Sequence, residues 1–326
     1  MTDFSEWVPR RIYWQDSGPW VDWVHLGARR FTDPFFGQTL DRCLRHPADV
    51  LFRHQTPLAD LAEIAAAQAG LPPTGFIFHL SRCGSTLISQ MLAAAPENTV
   101  LSEAAPIDQL LRLRFQVDGL TEERQMQWLR WLVQVLSRPR DSVARHVFIK
   151  FDCWHTRFLP LIRRAFPGVP WIFVYREPLE VLVSHANHRG AHMVPGVLEP
   201  AIFGWAAAPG AGRPLAEYGA AVLAEIGAAA LAQLPSGNGR LVNYGQLPAA
   251  VWPALLRFWQ VEFSPEATRQ MFAAAQLNAK NPVLPFAAGR AAKRQAASAE
   301  LQALAQGRLG EIYQQLETQR AAAGLV

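Results

Sequence analysis

The sequence predicts an α/β chain with a largely parallel central sheet, and three observations lead there. From Gly75 onward, short apolar runs alternate with amphipathic stretches of helical period, which is how buried strands and their covering helices read in sequence. Half of the residues are hydrophobic and 18% are charged, enough apolar surface for a sizeable core. No segment repeats at a period of ~20 to 50 residues, which excludes solenoids and propellers.

Residues 1–70 are rich in Trp, Arg, Pro and Phe without a clear period, apart from a helical pattern near Leu58 to Gln68. They read as an irregular cap packed through its aromatics on a main domain spanning residues 71–326. In that domain the expected strands are Phe76 to Leu80, Thr99 to Leu101, Val147 to Phe151, Trp171 to Tyr175 and Arg240 to Asn243. Between them the spacing of apolar residues predicts helices near Ser85 to Ala95, Thr121 to Leu136, His155 to Ala165, Leu179 to Asn187, Leu215 to Leu234 and Ala250 to Val261. The stretch Arg189 to Arg213 mixes Gly, Pro and scattered apolar residues over a length unusual for a structureless connection, which marks a lid or substrate-facing segment. Within it, Phe203 and Trp205 suggest an apolar or aromatic entrance. A final helix follows from Ala297, after the basic run AKNPVLPFAAGRAAKR.

Charge and cysteine usage narrow the function. The 31 Lys and Arg against 27 Asp and Glu leave a net charge of +4, spread thinly and without a basic run, so a nucleic-acid footprint is missing. Cys43, Cys83 and Cys153 have no CxxC spacing, so they build neither a disulfide framework nor a zinc ribbon. A reducing, cytoplasmic compartment is expected. Asp3 and Glu6 precede Arg10 and Arg11 without an apolar stretch, and no later segment approaches ~18 apolar residues free of charge and proline, so no membrane is expected as a partner. Only three of the 31 basic residues are lysines: Lys150, Lys280 and Lys293.

The most informative segment is GFIFHLSRCGSTLISQM, residues 75–91. An apolar strand runs into the small-residue turn Ser81, Arg82, Cys83, Gly84, Ser85, Thr86 and then into an amphipathic helix. Loop N–H groups and the positive end of the helix dipole converge there, which makes an anion site or, more plainly, an ordinary capped turn. A Walker A loop needs Gly-Lys-Ser or Gly-Lys-Thr, and neither occurs, which disfavours ATP hydrolysis. A second segment, WIFVYREPLEVLVSH, places Arg176 at a strand end, where open α/β sheets bind ligands, with Ser184 two helical turns further on.

The loop with Arg82, together with the Arg176 and Ser184 pair, resembles the sulfotransferases that use 3′-phosphoadenosine 5′-phosphosulfate (PAPS). The resemblance spans about Gly75 to Met271 and implies a P-loop-like three-layer α/β/α fold. It assigns the 5′-phosphosulfate to Arg82, Cys83, Gly84, Ser85 and Thr86, and the 3′-phosphate to Arg176 and Ser184. Tyr244, in the similar segment LVNYGQL, falls beside the adenine, although Gly245 and Gln246 stand where an acidic residue is usual. Lys293 and Arg294 either close over the 3′-phosphate or are solvated charges.

Transfer needs a base for the acceptor's proton. In the small-molecule branch of that family the base is a His two residues after a strand-terminal Lys. Here IKFDCWH puts Asp152 in that place, after Lys150 and ahead of His155. The carboxylate-base branch, similar to protein-tyrosine sulfotransferases, uses a Glu on the next strand, and VLSE supplies Glu103. Glu103 is therefore the first candidate base, with Asp152 and His155 as second choices; Glu103 also suits a helix-start charge. Arg82 would stabilise charge on the donor's bridging oxygen and Lys150 would share that task or simply end a strand in a salt bridge. His185, His188 and His192 form HxxHxxxH, read as a polar rim facing the acceptor more readily than as a zinc site, and no metal is expected. The expectation is sulfuryl transfer from PAPS, with adenosine 3′,5′-bisphosphate as product, to a hydroxyl or amine of a small-molecule, peptide or glycan acceptor. The alternatives are a P-loop-type kinase and a non-catalytic nucleotide-binding protein. Oligomeric state is unread.

Overall fold

The N-terminal segment, expected to be irregular, is ordered around an antiparallel sheet. Strands β1 (Trp7–Gln15) and β2 (Gly18–His25) pair as a hairpin, and β3 (Gln55–Pro57) joins the far edge of β2. Two features hide this hairpin from a reading of period. A register shift between Pro9 and Arg11 interrupts the alternation, and Asp22, in the middle of β2, is 2% exposed. Its charge is offset by Arg11 at 3.2 Å, Arg53 at 3.1 Å and the Gln55 amide at 2.7 Å. Helices α1 (Phe36–Cys43) and α2 (Leu61–Ala67) complete the segment. The described residues in this computed structural model are 3–15, 18–45, 51, 53–207, 214–285 and 297–324.

The central sheet has five parallel strands: β4 (Pro73–His79), β5 (Asn98–Ser102), β6 (His146–Lys150), β7 (Trp171–Tyr175) and β8 (Gly239–Asn243), in the order β5-β6-β4-β7-β8. Every residue of β5 and β7 is buried; because successive side chains point to opposite faces, both faces are covered, as in a three-layer fold. The expected Trp171 to Tyr175 strand is found as such, and the other four differ only at their ends. The chain crosses from β4 to β5 on one side and from β6 to β7 on the other, so the loop after β4 sits at the switch point where such sheets bind ligands.

The helices follow the expected order, with physical reasons where they differ. After β4 comes α3 (Ser85–Ala94); α4 (Ala105–Arg112) starts beside Pro106, where the reading of Glu103 as a helix-start charge places a helix. Thr121 caps α5 (Glu122–Leu136) by accepting from the Arg124 N–H at 3.2 Å. The helix expected from His155 begins as a 3₁₀ segment, Cys153–Phe158, before α6 (Leu159–Ala165); α7 (Pro178–Asn187) and α8 (Leu215–Gln233) stand near their expected places. Pro253 breaks the helix expected over Ala250 to Val261 into a 3₁₀ turn and α9 (Ala254–Phe258). Then come α10 (Pro265–Ala275), a small hairpin of β9 (Leu277–Asn278) and β10 (Asn281–Pro285), α11 (Ala299–Gln306) and α12 (Arg308–Ala322). Leu215–Ser236 is long and apolar enough to cross a membrane by length and composition, with mean hydropathy 1.4, and half of that window is buried inside the fold.

The N-terminal segment shares the core of the main sheet, Val8 and Ile12 belonging to the same apolar cluster as Phe76 and Ile149. Arg138, 2% exposed, ties the two by donating to the carbonyls of Phe4 at 3.0 Å, Gln68 at 3.2 Å and Ile64. The long stretch from Arg189 contains two 3₁₀ turns, Ala191–Met193 and Pro200–Phe203, and Arg112 grips Glu199 there at 2.8 and 3.0 Å. Phe203 is 1% exposed and packs on the half-buried Trp205, which in turn meets Tyr218, and neither Phe203 nor Trp205 lines the cavity after β4.

Candidate active site

The loop after β4 is shaped for an anion. Ser81, Arg82 and Gly84 take positive φ values of 79°, 52° and 90°, a sequence of left-handed residues that turns the backbone tightly into α3. Gly84 is the N-cap of α3 and no side chain caps that end, which leaves the first-turn N–H groups for a ligand. A Cβ on Gly84 would lie 2.8 Å from both Leu247 Cδ1 and Tyr244 Cδ2, so only glycine lets Tyr244 close on the loop. Ser81, Arg82, Cys83, Ser85 and Thr86 join Gly84 in the wall of a cavity of about 520 Å³. The Cys83 thiol donates to the Val174 carbonyl at 3.0 Å and burial pushes it up to about 11, so the residue serves by its backbone.

Two histidines hold the loop. The Ser81 N–H donates to His79 Nδ1 at 3.1 Å, which puts the ring proton on Nε2, 3.5 Å from Glu103 Oε1. The Gly190 N–H donates to His185 Nδ1 at 3.4 Å, which leaves His185 Nε2–H to donate to Ser81 Oγ at 3.1 Å. Arg82 reaches the His188 carbonyl at 2.5 Å.

Glu103, Lys150 and Asp152 converge from the ends of β5 and β6, as the sequence led us to expect. Glu103 has φ 54°, held by its N–H donating to the Lys150 carbonyl at 2.7 Å. Its carboxylate pairs with the Lys150 ammonium, whose side chain is fully buried. Burial opposes ionisation of Glu103, but the Lys150 charge and the His79 ring override it and hold the carboxyl well below its ordinary value. Asp152 goes the other way: burial, with Glu103 and Asp108 nearby, raises it well above the usual carboxylate range. Two carboxyl groups in one cavity thus differ in proton affinity, one ionised and one disposed to hold its proton.

His155 is committed elsewhere. It accepts from the Asp152 N–H at 3.2 Å through Nδ1 and donates through Nε2 to Asp108 Oδ1 at 2.9 Å, where the Trp154 N–H also donates at 2.7 Å. Asp108, Asp152 and His155 offer ligand atoms within 4.8 Å of one another, the one such grouping among the described residues. Both ring nitrogens of His155 are already used within it. His185 and His192 line the cavity while His188 is exposed, so HxxHxxxH does not gather three rings.

Ser184 and Tyr244 line the cavity, whereas Arg176 stands behind them. Arg176 is 7% exposed, paired with the buried Glu180, and its guanidinium lies 3.9 Å from the centre of the Tyr244 ring. Lys293 and Arg294 lie outside the described residues. The wall also holds residues that sequence reasoning missed: Phe35, His79, Trp154 and Lys280. Burial beside Arg82 brings Lys280 down to about 8. A signal for it existed, since a compact ammonium retained in a chain that otherwise uses arginine marks a place where a guanidinium fork does not serve.

No protein-family model matches the chain, and no curated protein does. Among solved structures it is similar to the sulfotransferase domain from the curacin biosynthetic pathway, at 16% identity over 64% of this chain and 80% of that one, TM-score 0.41. It is also similar to the sulfotransferase domain of the Synechococcus PCC 7002 olefin synthase, at 15% identity over 76% of this chain and 95% of that one, TM-score 0.42. A Mycobacterium avium sulfotransferase matches at 13% identity over 82% of this chain and 80% of that one, TM-score 0.45.

Proposed function

We propose that the protein is a sulfotransferase that uses PAPS as donor and an acceptor hydroxyl or amine of a small molecule, peptide or glycan. The observation that carries the reading is the left-handed loop Ser81–Gly84 at the switch point, with the Glu103 and Lys150 pair at the ends of the neighbouring strands. The donor fits the residues present: α3 starts from Gly84 with no side-chain cap, which leaves backbone N–H groups for an anion, Arg82 and Lys280 line the cavity with positive charge, and Lys150 lies behind Glu103. Arg82 through Thr86 would hold the phosphosulfate, Ser184 the 3′-phosphate with Arg176 adding positive charge from behind Tyr244, and Tyr244 the adenine. When bound, the donor supplies a sulfuryl group whose sulfur gains a bond to the acceptor oxygen or nitrogen as its bond to the nucleotide phosphate breaks.

The protein's own residues handle the proton and the charge. An anion in the loop competes with Glu103 for the Lys150 ammonium, and as that pair loosens the proton affinity of Glu103 rises. Glu103 then takes the proton that the acceptor gives up; Asp152, the second choice, could do so only when ionised, and its environment favours the protonated form. Arg82 and Lys150 stay fixed where negative charge grows, so little reorganisation is needed. A reducing, cytoplasmic setting suits three buried thiols that form no disulfide among the described residues.

Calorimetric titration with adenosine 3′,5′-bisphosphate, beside ATP with magnesium, tests the donor. Binding of the bisphosphate alone is expected, and Arg176→Ala should weaken it several-fold or more by removing the positive charge and the support behind Tyr244. Binding of ATP and not of the bisphosphate would replace this reading with a kinase.

A further inference from the structure

The C-terminal helix reaches the ligand end of the sheet. On α12 the buried residues Leu309, Ile312 and Leu316 seat the helix on α8, so closely that a Cβ on Gly227 would lie 2.6 Å from Ile312 Cγ2. Beside that stripe, Tyr313, Glu317 and Arg320 follow at helical spacing and meet the ends of β7 and β8.

The register between β7 and β8 ends at the pair Tyr175 and Asn243. Beyond it the two chains part, Arg176 leading into α7 and Tyr244 into the 3₁₀ turn Tyr244–Gln246. One carboxylate oxygen joins both members of that last pair: Glu317 Oε1 accepts from the Tyr175 hydroxyl and, at 2.8 Å, from Asn243 Nδ2. The other end of the Asn243 amide, Oδ1, accepts from the Gly245 N–H at 2.8 Å, so the amide that Glu317 orients also shapes the turn carrying Tyr244. Arg320 fixes the carboxylate in turn, at 2.9 Å, and donates to the Tyr175 hydroxyl at 3.2 Å. Burial opposes ionisation of Glu317, but the hydrogen bonds from Arg320, Tyr175 and Asn243 hold the carboxyl below its ordinary value, and it stays a charged acceptor at neutral pH.

We propose that Glu317 is a positioning residue for the nucleotide half of the donor: by tying Tyr175 to Asn243 it sets Arg176 against Tyr244 before the nucleotide arrives. The inference rests on the donor reading above and deepens it. Arg176 and Tyr244 are the residues immediately after the tied pair, and the guanidinium stands 3.9 Å from the ring centre. With the strand register already ended, side chains from α12 keep the two chain ends in place, and side chains ordered in advance need not be ordered by the ligand.

The test is calorimetry on the full chain with adenosine 3′,5′-bisphosphate, beside ATP with magnesium, well below the unfolding midpoint of every variant. Glu317→Ala should weaken the bisphosphate by about 10-fold, because Arg176 and Tyr244 must then be ordered as it binds. Glu317→Gln, whose amide oxygen can still accept from Tyr175 and Asn243, should recover most of that loss. Leu316→Ala strips apolar packing from the same helix and should lower the unfolding midpoint with the affinity of wild type. Glu317→Ala combined with Asn243→Ala should cost no more than the larger single change, since the two act through one link. Unchanged affinity in Glu317→Ala, no recovery in Glu317→Gln, an equal loss in Leu316→Ala or additive losses in the double variant would each overturn the inference. Should ATP bind and the bisphosphate not, the donor assignment falls, while this inference stands if Glu317→Ala weakens ATP in the same ratio and falls if it does not. Binding of neither nucleotide would overturn both.

Discussion

Glu103→Gln removes one negative charge and keeps the side chain's shape, so it isolates what the charge does. Its partner Lys150 has a fully buried side chain and Glu103 is 23% exposed. Deleting one member of a buried pair costs about 3 to 5 kcal/mol, because the remaining ion is left without its counter-charge; the partial exposure of Glu103 puts the expectation near the lower figure. At about 2 °C per kcal/mol for a chain of this size, the unfolding midpoint at pH 7 should fall by about 6 °C. Because the folded carboxyl ionises below its ordinary value of 4.5, its stabilisation is complete above that value and is lost as pH falls below it. Scanning calorimetry should therefore find the gap between wild type and variant closing on acidification. Glu103→Gln combined with Lys150→Met removes both charges and should be more stable than the Gln variant alone. A gap that persists unchanged into acid, or a double variant that loses the sum of the singles, would refute the ion-pair argument. Turnover should vanish while adenosine 3′,5′-bisphosphate still binds; a large loss of that binding would remove Glu103 as base.

Asp152→Asn should act with the opposite sign: a carboxyl raised in the fold weakens it as pH climbs above the ordinary 3.8, so the variant should have a higher urea midpoint than wild type at pH 7 and no advantage near pH 3. A lower midpoint at pH 7 would show that Asp152 is ionised and paired in the fold. Gly84→Ala, at φ 90° with Leu247 and Tyr244 2.8 Å from the new Cβ, should cost about 1 to 3 kcal/mol. It should also weaken the bisphosphate in calorimetry by displacing Tyr244, and an unchanged stability and affinity would mean that the loop is not under the constraint argued for it.

What the sequence disclosed follows from distance along the chain. Buried parallel strands write themselves as unbroken apolar runs, which is why Trp171 to Tyr175 reads directly, and the loop Ser81 to Thr86 is contiguous and so carries its own signature. The hairpin of residues 7–25 was missed because its buried Asp22 is neutralised from Arg53 and Gln55, 31 and 33 positions away. Glu103, Lys150 and Asp152 were found as strand ends, but their opposed proton affinities depend on burial and on Asp108, which no spacing encodes. The HxxHxxxH motif was legible, but no spacing shows that His185 holds the loop through both ring nitrogens while His188 faces solvent. Lys280 arrives on a hairpin far from any motif, and Arg176 lies behind Tyr244 where direct access had been expected.

Phe35 belongs to the N-terminal segment, yet its ring centre lies 5.3 Å from the Lys150 ammonium and it forms part of the cavity wall. The segment is thus a dielectric partition as well as a covering. Two unit charges 4 Å apart attract by about 4 kcal/mol at an effective dielectric of about 20 and by about 1 kcal/mol in water. A chain without the cover that Phe35 provides would admit solvent among Glu103 and Lys150 at the ends of β5 and β6 and Arg82 in the loop after β4. Its charges would be in place with most of their field gone, and exchanging this segment for another would retune the site without touching a residue of the sheet.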